Sequence, residues 1–316
     1  MTGKQWPTSN WPEGVPREVT GFSVPLYSIL DDAARKYPNN TYTIFNGGTR
    51  TYAKVKDTAD RVANFLTSRG IKKGDRVAIF LPNIPHYPEI YFGILKTGAV
   101  CVTCNPMYTS SELNYQLNDA GALAVFVMDH PQFYKTAAEA IKNTKVETVV
   151  VCNVKSYLPG AKAFIGGLLG KIPKAESHEP GHLMYDDVVA KAKPEPPKVE
   201  IDPDKDLALV IYTGGTTGVP KGAALYHRSF MHNLVAMQEW ARIVHEPGGQ
   251  KEAMREGGFH TFLGVLPWYH SFGMTVVMLM ACKTGSKLVC IPDPRAGNPP
   301  FTETLKAVQT YKPTFV

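Results

Sequence analysis

No run of about 18 apolar residues, the length a bilayer-crossing helix needs, occurs in the chain. The most apolar stretch, Met274 to Cys282, is much shorter and reads as a buried helix. Met1 to Pro16 lacks the apolar core of a signal peptide, so an irregular, extended lead-in is expected there. Cysteine is scarce: Cys101, Cys104, Cys152, Cys282 and Cys290 make five, an odd number. That argues against a disulfide framework and for reduced thiols in a cytoplasmic setting. Cys101 and Cys104 stand in a C-x-x-C, but no second pair or histidine lies at zinc-ligand spacing. Two buried strand cysteines are the expectation. Blocks of like charge are also missing, nothing exceeding a short pair such as Lys72-Lys73, which excludes a nucleic-acid patch.

What is present describes a globular chain. Hydrophobic residues make up 44% and charged residues 20% of 316, enough for a sizeable core and more than one compact core usually holds. The formal net charge of +6 suits small anionic ligands. One stretch stands out: Tyr212 to Gly222 reads Y-T-G-G-T-T-G-V-P-K-G, directly after the apolar run Leu207 to Ile211. A buried strand feeds a turn rich in glycines and hydroxyls, with a lysine behind it. Glycines let backbone N–H groups approach phosphate oxygens, and hydroxyls and an ammonium add donors. The Walker loop G-x-x-x-x-G-K-[ST] does not fit, since Lys221 follows Pro220 and precedes Gly222. A Rossmann G-x-G-x-x-G is absent from this segment.

The stretch resembles the phosphate loop of the adenylate-forming superfamily, and its Gly214-Gly215 variant is similar to the long-chain fatty acyl-CoA synthetases. Two further segments carry the same resemblance. Leu266 to Met274, L-P-W-Y-H-S-F-G-M, is similar to the family's P-x-[FY]-H-x-x-[GA] region. There a strand end with aromatic residues and one histidine offers an apolar wall and a polar handle for a carboxylate. Asn105 to Asp119 resembles the N-P-x-Y-x-x-x-E-L-x-x-x-L-x-D stretch of the same synthetases.

Helical and strand patterns alternate along the chain, which predicts an α/β fold with a parallel, doubly wound sheet. Residues 1–23 form the lead-in, 24–200 a first β/α subdomain, and 201–316 the phosphate loop and the start of a second. Glycines and prolines break the rhythm between Tyr157 and Glu200, predicting a surface excursion with a short helix, Tyr185 to Ala192. Within it, Ala161 to Leu169 is apolar with flanking lysines, which allows peripheral membrane contact; packing on the protein is the expectation. An internal echo joins the halves. Leu81-Pro82, a helix, Lys96-Thr97-Gly98 and a strand recur as Leu266-Pro267, a helix, Lys283-Thr284-Gly285 and a strand. Two β/α subdomains with a ligand cleft between them would produce this.

The resemblance implies ATP-dependent activation of a fatty acid through an acyl-adenylate, followed by transfer to CoA, with Mg²⁺. It implies that Thr213, Gly214, Gly215, Thr216, Thr217, Gly218 and Lys221 hold the phosphates, and that Thr213 or Thr217 ligates the metal. His270 would meet the carboxylate, with Trp268, Phe272 and Met274 lining the acyl pocket. In the family, later segments carry the adenine-binding Gly-Tyr-Gly-x-[TS]-Glu motif, a ribose-holding aspartate and a C-terminal domain with a catalytic lysine. None stands in these 316 residues, so the expectation is the first part of a synthetase, inactive alone. An aryl-CoA ligase of the same superfamily and a non-catalytic acyl- or nucleotide-binding remnant are the alternatives. A homo-oligomer is left open.

Overall fold

The computed structural model describes Trp11 and residues 14–316, apart from residues 171, 214–218, 247–248, 253–255 and 259. The chain opens with α1 (Ser28–Lys36), the hairpin β1 (Thr41–Phe45) and β2 (Gly48–Thr51), and α2 (Tyr52–Ser68). Strand–helix alternation follows: β3 (Arg76–Phe80), α3 (His86–Lys96), β4 (Val100–Thr103), α4 (Ser110–Ala120), β5 (Ala122–Met128), α5 (Pro131–Ala140) and β6 (Thr148–Cys152). The glycine- and proline-rich excursion holds α6 (Gly160–Leu168), the short β7 (Leu183–Met184) and α7 (Tyr185–Lys191). Then come β8 (Leu207–Thr213), β9 (Lys221–Tyr226), α8 (His227–Arg242) and the pair β10 (Ile243–Glu246) and β11 (Gly249–Glu252). The last part holds β12 (Thr261–Gly264), a π-helical segment Gly273–Leu279 running into α9 (Met280–Lys283), β13 (Lys287–Cys290) and α10 (Thr302–Tyr311).

Seven strands form one sheet in the order β7-β6-β5-β3-β4-β8-β9, parallel except for β9, which runs antiparallel to β8. A second sheet has the order β12-β13-β1-β2, with only β2 antiparallel. Each sheet therefore draws strands from both sides of residue 200. Alternation along the strands sorts the two faces of the larger sheet. Val77 and Ile79 join α3 in one core, while Ala78 and Phe80 meet Leu113, Leu117, Tyr134 and Ala137 of α4 and α5 in another.

The echo seen in the sequence has a structural counterpart. β3–α3–β4 and β12–helix–β13 are both parallel β-α-β units, one in each sheet. Lys-Thr-Gly ends the helix in both. Thr97 Oγ1 donates back to Ile94 O at 2.7 Å and Thr284 Oγ1 to Met280 O at 2.9 Å. Gly98 and Gly285 then adopt φ of 75° and 68°, the left-handed turn that glycine tolerates best. The excursion differs from expectation at α6: the helix forms, but none of its side chains is buried.

All eleven residues of α3 are buried, and its apolar side chains share one cluster with both sheets. Hiding polar groups in such a helix needs local solutions. Lys96 is 4% exposed and bonds Asp31 at 2.5 Å and Asp60 at 2.6 Å, with Lys56 reaching Asp60 at 2.6 Å. Glu89 has no such cation. Tyr157 and Tyr185 donate to its Oε2, and burial pushes its carboxyl up to about 7. His86, one turn away, lies 4.3 Å from the Tyr157 ring and 4.8 Å from the Tyr185 ring. Burial pushes its pKa down to about 3, outweighing a hydrogen bond with the backbone of Asn153.

These shifts have opposite consequences for stability. The raised Glu89 value favours the folded chain at low pH, and that contribution is lost as pH rises from about 4.5 to about 7. The depressed His86 value acts the other way, its contribution being lost as pH falls from about 6.5 toward 3. Glu89→Gln removes the first slope and keeps the second. Chemical denaturation at pH 4.5 to 7 should show the variant gaining on the wild type by roughly 2–3 kcal/mol across that range. A pH-independent difference between the two proteins would refute this account.

Candidate active site

The carboxyl ends of the parallel strands share one rim, where open α/β sheets usually bind ligands. Asn83, just past β3, holds the two sheets together there. Its Nδ2 donates to Gly264 O at 2.8 Å and Leu266 O at 2.9 Å, and its Oδ1 accepts from Trp268 N at 3.0 Å. At the end of β4, Thr103 Oγ1 donates to Tyr269 O at 3.0 Å. The segment preceding His270 is thus fixed to the neighbouring ends of β3 and β4.

β8 lies beside β4, with Thr103 opposite Ile211, so its turn leaves from the same rim. The β8–β9 register pairs Thr213 with Lys221, bringing the first hydroxyl and the lysine of the phosphate-loop stretch to the mouth of one hairpin. Both are exposed, and Thr213 Oγ1 lies 3.4 Å from Lys221 O. Gly214, Gly215, Thr216, Thr217 and Gly218 lie outside the described residues.

The Asn105-to-Asp119 stretch supports this hairpin, and most of its signature residues have an identifiable task. Asn105 Oδ1 accepts from Met107 N at 3.0 Å, forming the turn after β4. Thr109 and Glu112 make a capping box that starts α4, and Leu113 and Leu117 are buried beneath it. Tyr115 and Asp119, four residues apart on one face, brace both arms of the hairpin. Tyr115 Oη donates to Pro220 O at 3.2 Å, and Asp119 accepts from Tyr212 Oη at 2.5 Å. Burial and the Asp119 carboxylate both raise the Tyr212 pKa, keeping the phenol protonated as donor.

His270 is exposed at the start of the turn into the π-helical segment. Its Nδ1 accepts from Phe272 N at 3.3 Å, so the neutral ring carries its proton on Nε2 and offers a donor there. Gly273 follows because a Cβ would meet Pro267 O at 2.3 Å. The expected wall residues separate: Phe272 is 57% exposed, whereas Trp268 and Met274 are wholly buried in the core shared by the sheets. Next to Tyr269, a cleft of about 520 Å³ opens between the strand ends, lined by Asn83, Pro106, Met107, Asp293 and Arg295. Asn83 and Thr103 escaped the sequence reading, since an isolated asparagine or threonine carries no pattern. The Leu-Pro echo beside Asn83 was the available signal.

Metal ligands are sparse. Among the described residues no group of three or more His, Cys, Asp and Glu could hold a metal ion. The exposed Thr213 hydroxyl fits one position in a shell completed by substrate oxygens and water, the kind Mg²⁺ accepts.

Comparison with known proteins agrees with the geometry. Residues 30–316 match the AMP-binding enzyme family. A long-chain-fatty-acid–CoA ligase of Bacillus subtilis (strain 168) is 33% identical over 98% of this chain and 53% of its own length. The chain spans about half the length of the curated relatives it matches. Among solved structures, the long-chain-fatty-acid–CoA ligase FadD1 of Archaeoglobus fulgidus superposes with a TM-score of 0.73 at 22% identity, covering 96% of this chain and 53% of that one. The anthranilate CoA ligase AuaEII, in complex with anthranoyl-AMP, gives 0.73 at 20% identity, over 93% and 49%. Both likenesses are likenesses of fold.

The seam at Asn83 predicts a large effect for a small change. Asn83→Ala strands a buried carbonyl, a half-buried one and a buried amide, and should lower stability by about 2–4 kcal/mol in urea denaturation. Thr103→Val breaks one bond and should cost about 1 kcal/mol. A loss below about 0.5 kcal/mol for Asn83→Ala would mean that Asn83 does not hold the two sheets together.

Proposed function

This chain belongs to the AMP-binding enzyme family, and from that premise we propose that the whole protein activates a fatty acid with ATP and transfers it to CoA. What supports the reading most is the meeting, on one rim, of the braced Thr213–Lys221 hairpin and His270, joined through Thr103. The similarity to long-chain fatty acid–CoA ligases along nearly the entire chain favours an aliphatic substrate.

In this reading a carboxylate oxygen bonds to the α-phosphorus of ATP as the bond to the β-phosphate oxygen breaks and pyrophosphate leaves. The CoA thiol then attacks the acyl carbon, the bond to AMP breaks, and the thiol proton passes to solvent. Such chemistry needs positioning and charge neutralisation rather than a covalent enzyme intermediate. Lys221, the Thr213 hydroxyl and the stretch Gly214, Gly215, Thr216, Thr217 and Gly218 hold the β- and γ-phosphates. Mg²⁺ bound through Thr213 or Thr217 supplies further neutralisation. The Nε2–H of His270 donates to the carboxylate, Phe272 offers apolar surface, and Trp268 and Met274 back that wall from the core. Contact with a membrane surface is part of the proposal, as a long acyl substrate partitions into lipid. Among the described residues no helix is long and apolar enough to cross a membrane.

ATP–pyrophosphate exchange over a panel of aliphatic and aryl carboxylates tests this. Exchange confined to aryl acids would overturn the fatty-acid assignment. Lys221→Ala should lower kcat/KM for ATP by about 100-fold and change stability by no more than about 0.5 kcal/mol, the side chain being exposed. Thr217→Val should likewise weaken nucleotide use. For His270→Ala the expected effect is a higher KM for the carboxylate with little change for ATP; unaltered carboxylate kinetics would reject its role.

A further inference from the structure

We propose that α6 is a membrane-docking element, its outer face entering the interface of an anionic bilayer while nearby lysines meet the lipid phosphates. This deepens the membrane contact included in the proposed function and does not rest on the chemistry assigned to the hairpin. Phe164, Ile165, Leu168 and Leu169 are 73%, 54%, 77% and 57% exposed, and no side chain of the nine-residue helix is buried. At about 100° per residue these four share one side of the helix. Lys162 borders that side, about 90° round from its centre, and its Nζ donates to Asn46 O at 2.8 Å in the β1–β2 turn. An exposed apolar cluster of this size is uncommon on a monomeric surface.

Two further observations favour a lipid partner. Residues 155–175 contain Lys155, Lys162, Lys171 and Lys174 and no aspartate or glutamate. That charge draws the segment to anionic headgroups and opposes pairing with a second copy of itself. The helix also has little to sustain it in water, since it is short, buries no side chain and carries Gly166 and Gly167 in its interior. An interface that takes up its apolar face supplies the missing partner.

Placement gives the docking a purpose. α6 follows the carboxyl end of β6, and β6, β5, β3, β4 and β8 are successive parallel strands. It therefore stands on the rim that carries the Thr213–Lys221 hairpin and His270, four strand spacings or about 19 Å along the sheet from β8. A protein docked through α6 presents that rim to the bilayer, the reservoir of long-chain carboxylic acids.

Vesicle flotation tests the proposal, with phosphatidylcholine alone and phosphatidylcholine mixed with phosphatidylglycerol. The protein should bind the anionic vesicles, and less as salt rises. Phe164→Asp with Leu168→Asp should weaken binding by about tenfold or more, as should Lys155→Glu with Lys174→Glu. Leu305→Asp, at a 59% exposed site on α10, should leave it unchanged. Melting temperature and ATP–pyrophosphate exchange in water should hold, and Phe164→Ser with Leu168→Ser repeats the test more gently should the aspartates disturb folding. Absence of vesicle binding, equal binding by variants and wild type, or self-association abolished by the same variants would each overturn it. Exchange activity read separately tells whether the proposed reaction fails as well.

Discussion

Three hydrogen bonds to one buried amide organise the meeting of the two sheets. Asn83 donates twice and accepts once, satisfying backbone groups of the segment that leaves β12 for His270. Few side chains could do the same, because the site needs two donors and one acceptor at the end of a short, planar group. Thr103 adds a fourth bond one strand away. The rim is consequently defined by side chains that touch backbone, and the position of His270 is inherited from β3 and β4 as much as from β12.

Helix α3 shows two ways of burying charge in one element. At its carboxyl end, Lys96 pairs with Asp31 and Asp60 and ties three helices together. Nearer its amino end, Glu89 meets two phenols and, among the described residues, no ion-pair partner, and a carboxylic acid kept neutral is the cheaper state. Lys96 is held by partners that would be stranded without it, whereas Glu89 adjusts by holding a proton.

Much of this was legible in the sequence. Strand–helix alternation announced the doubly wound sheet, and the repeated Leu-Pro and Lys-Thr-Gly announced the two parallel units. The Asn105-to-Asp119 signature was recognisable as a pattern, while its physical content, a turn, a capping box, two buried leucines and a brace, required coordinates. Less legible was the exchange of strands between sheets, because β1 pairs with β13 across more than two hundred residues and neither strand names its partner. Trp268 and Met274 read as pocket residues from their place beside His270, yet both side chains turn into the core. α6 looked like a helix that would find a place on the protein, since nothing in its composition distinguishes an inward from an outward apolar face.

The wide turns between Gly273 and Leu279 bear on angular phase. A π-helical segment accommodates an extra residue within the span of an α-helix, holding back about one residue's worth of rotation, or about 100°. Everything from Met280 onward is clocked by that offset: which side Cys282 shows to Tyr42, where Thr284 finds its carbonyl, and the angle at which the chain enters β13. Residue count between Gly273 and Leu279 is therefore as binding a constraint as residue type. Side chains there are exchangeable within the limits of packing, whereas losing one residue would turn the following helix face away from the sheet it covers.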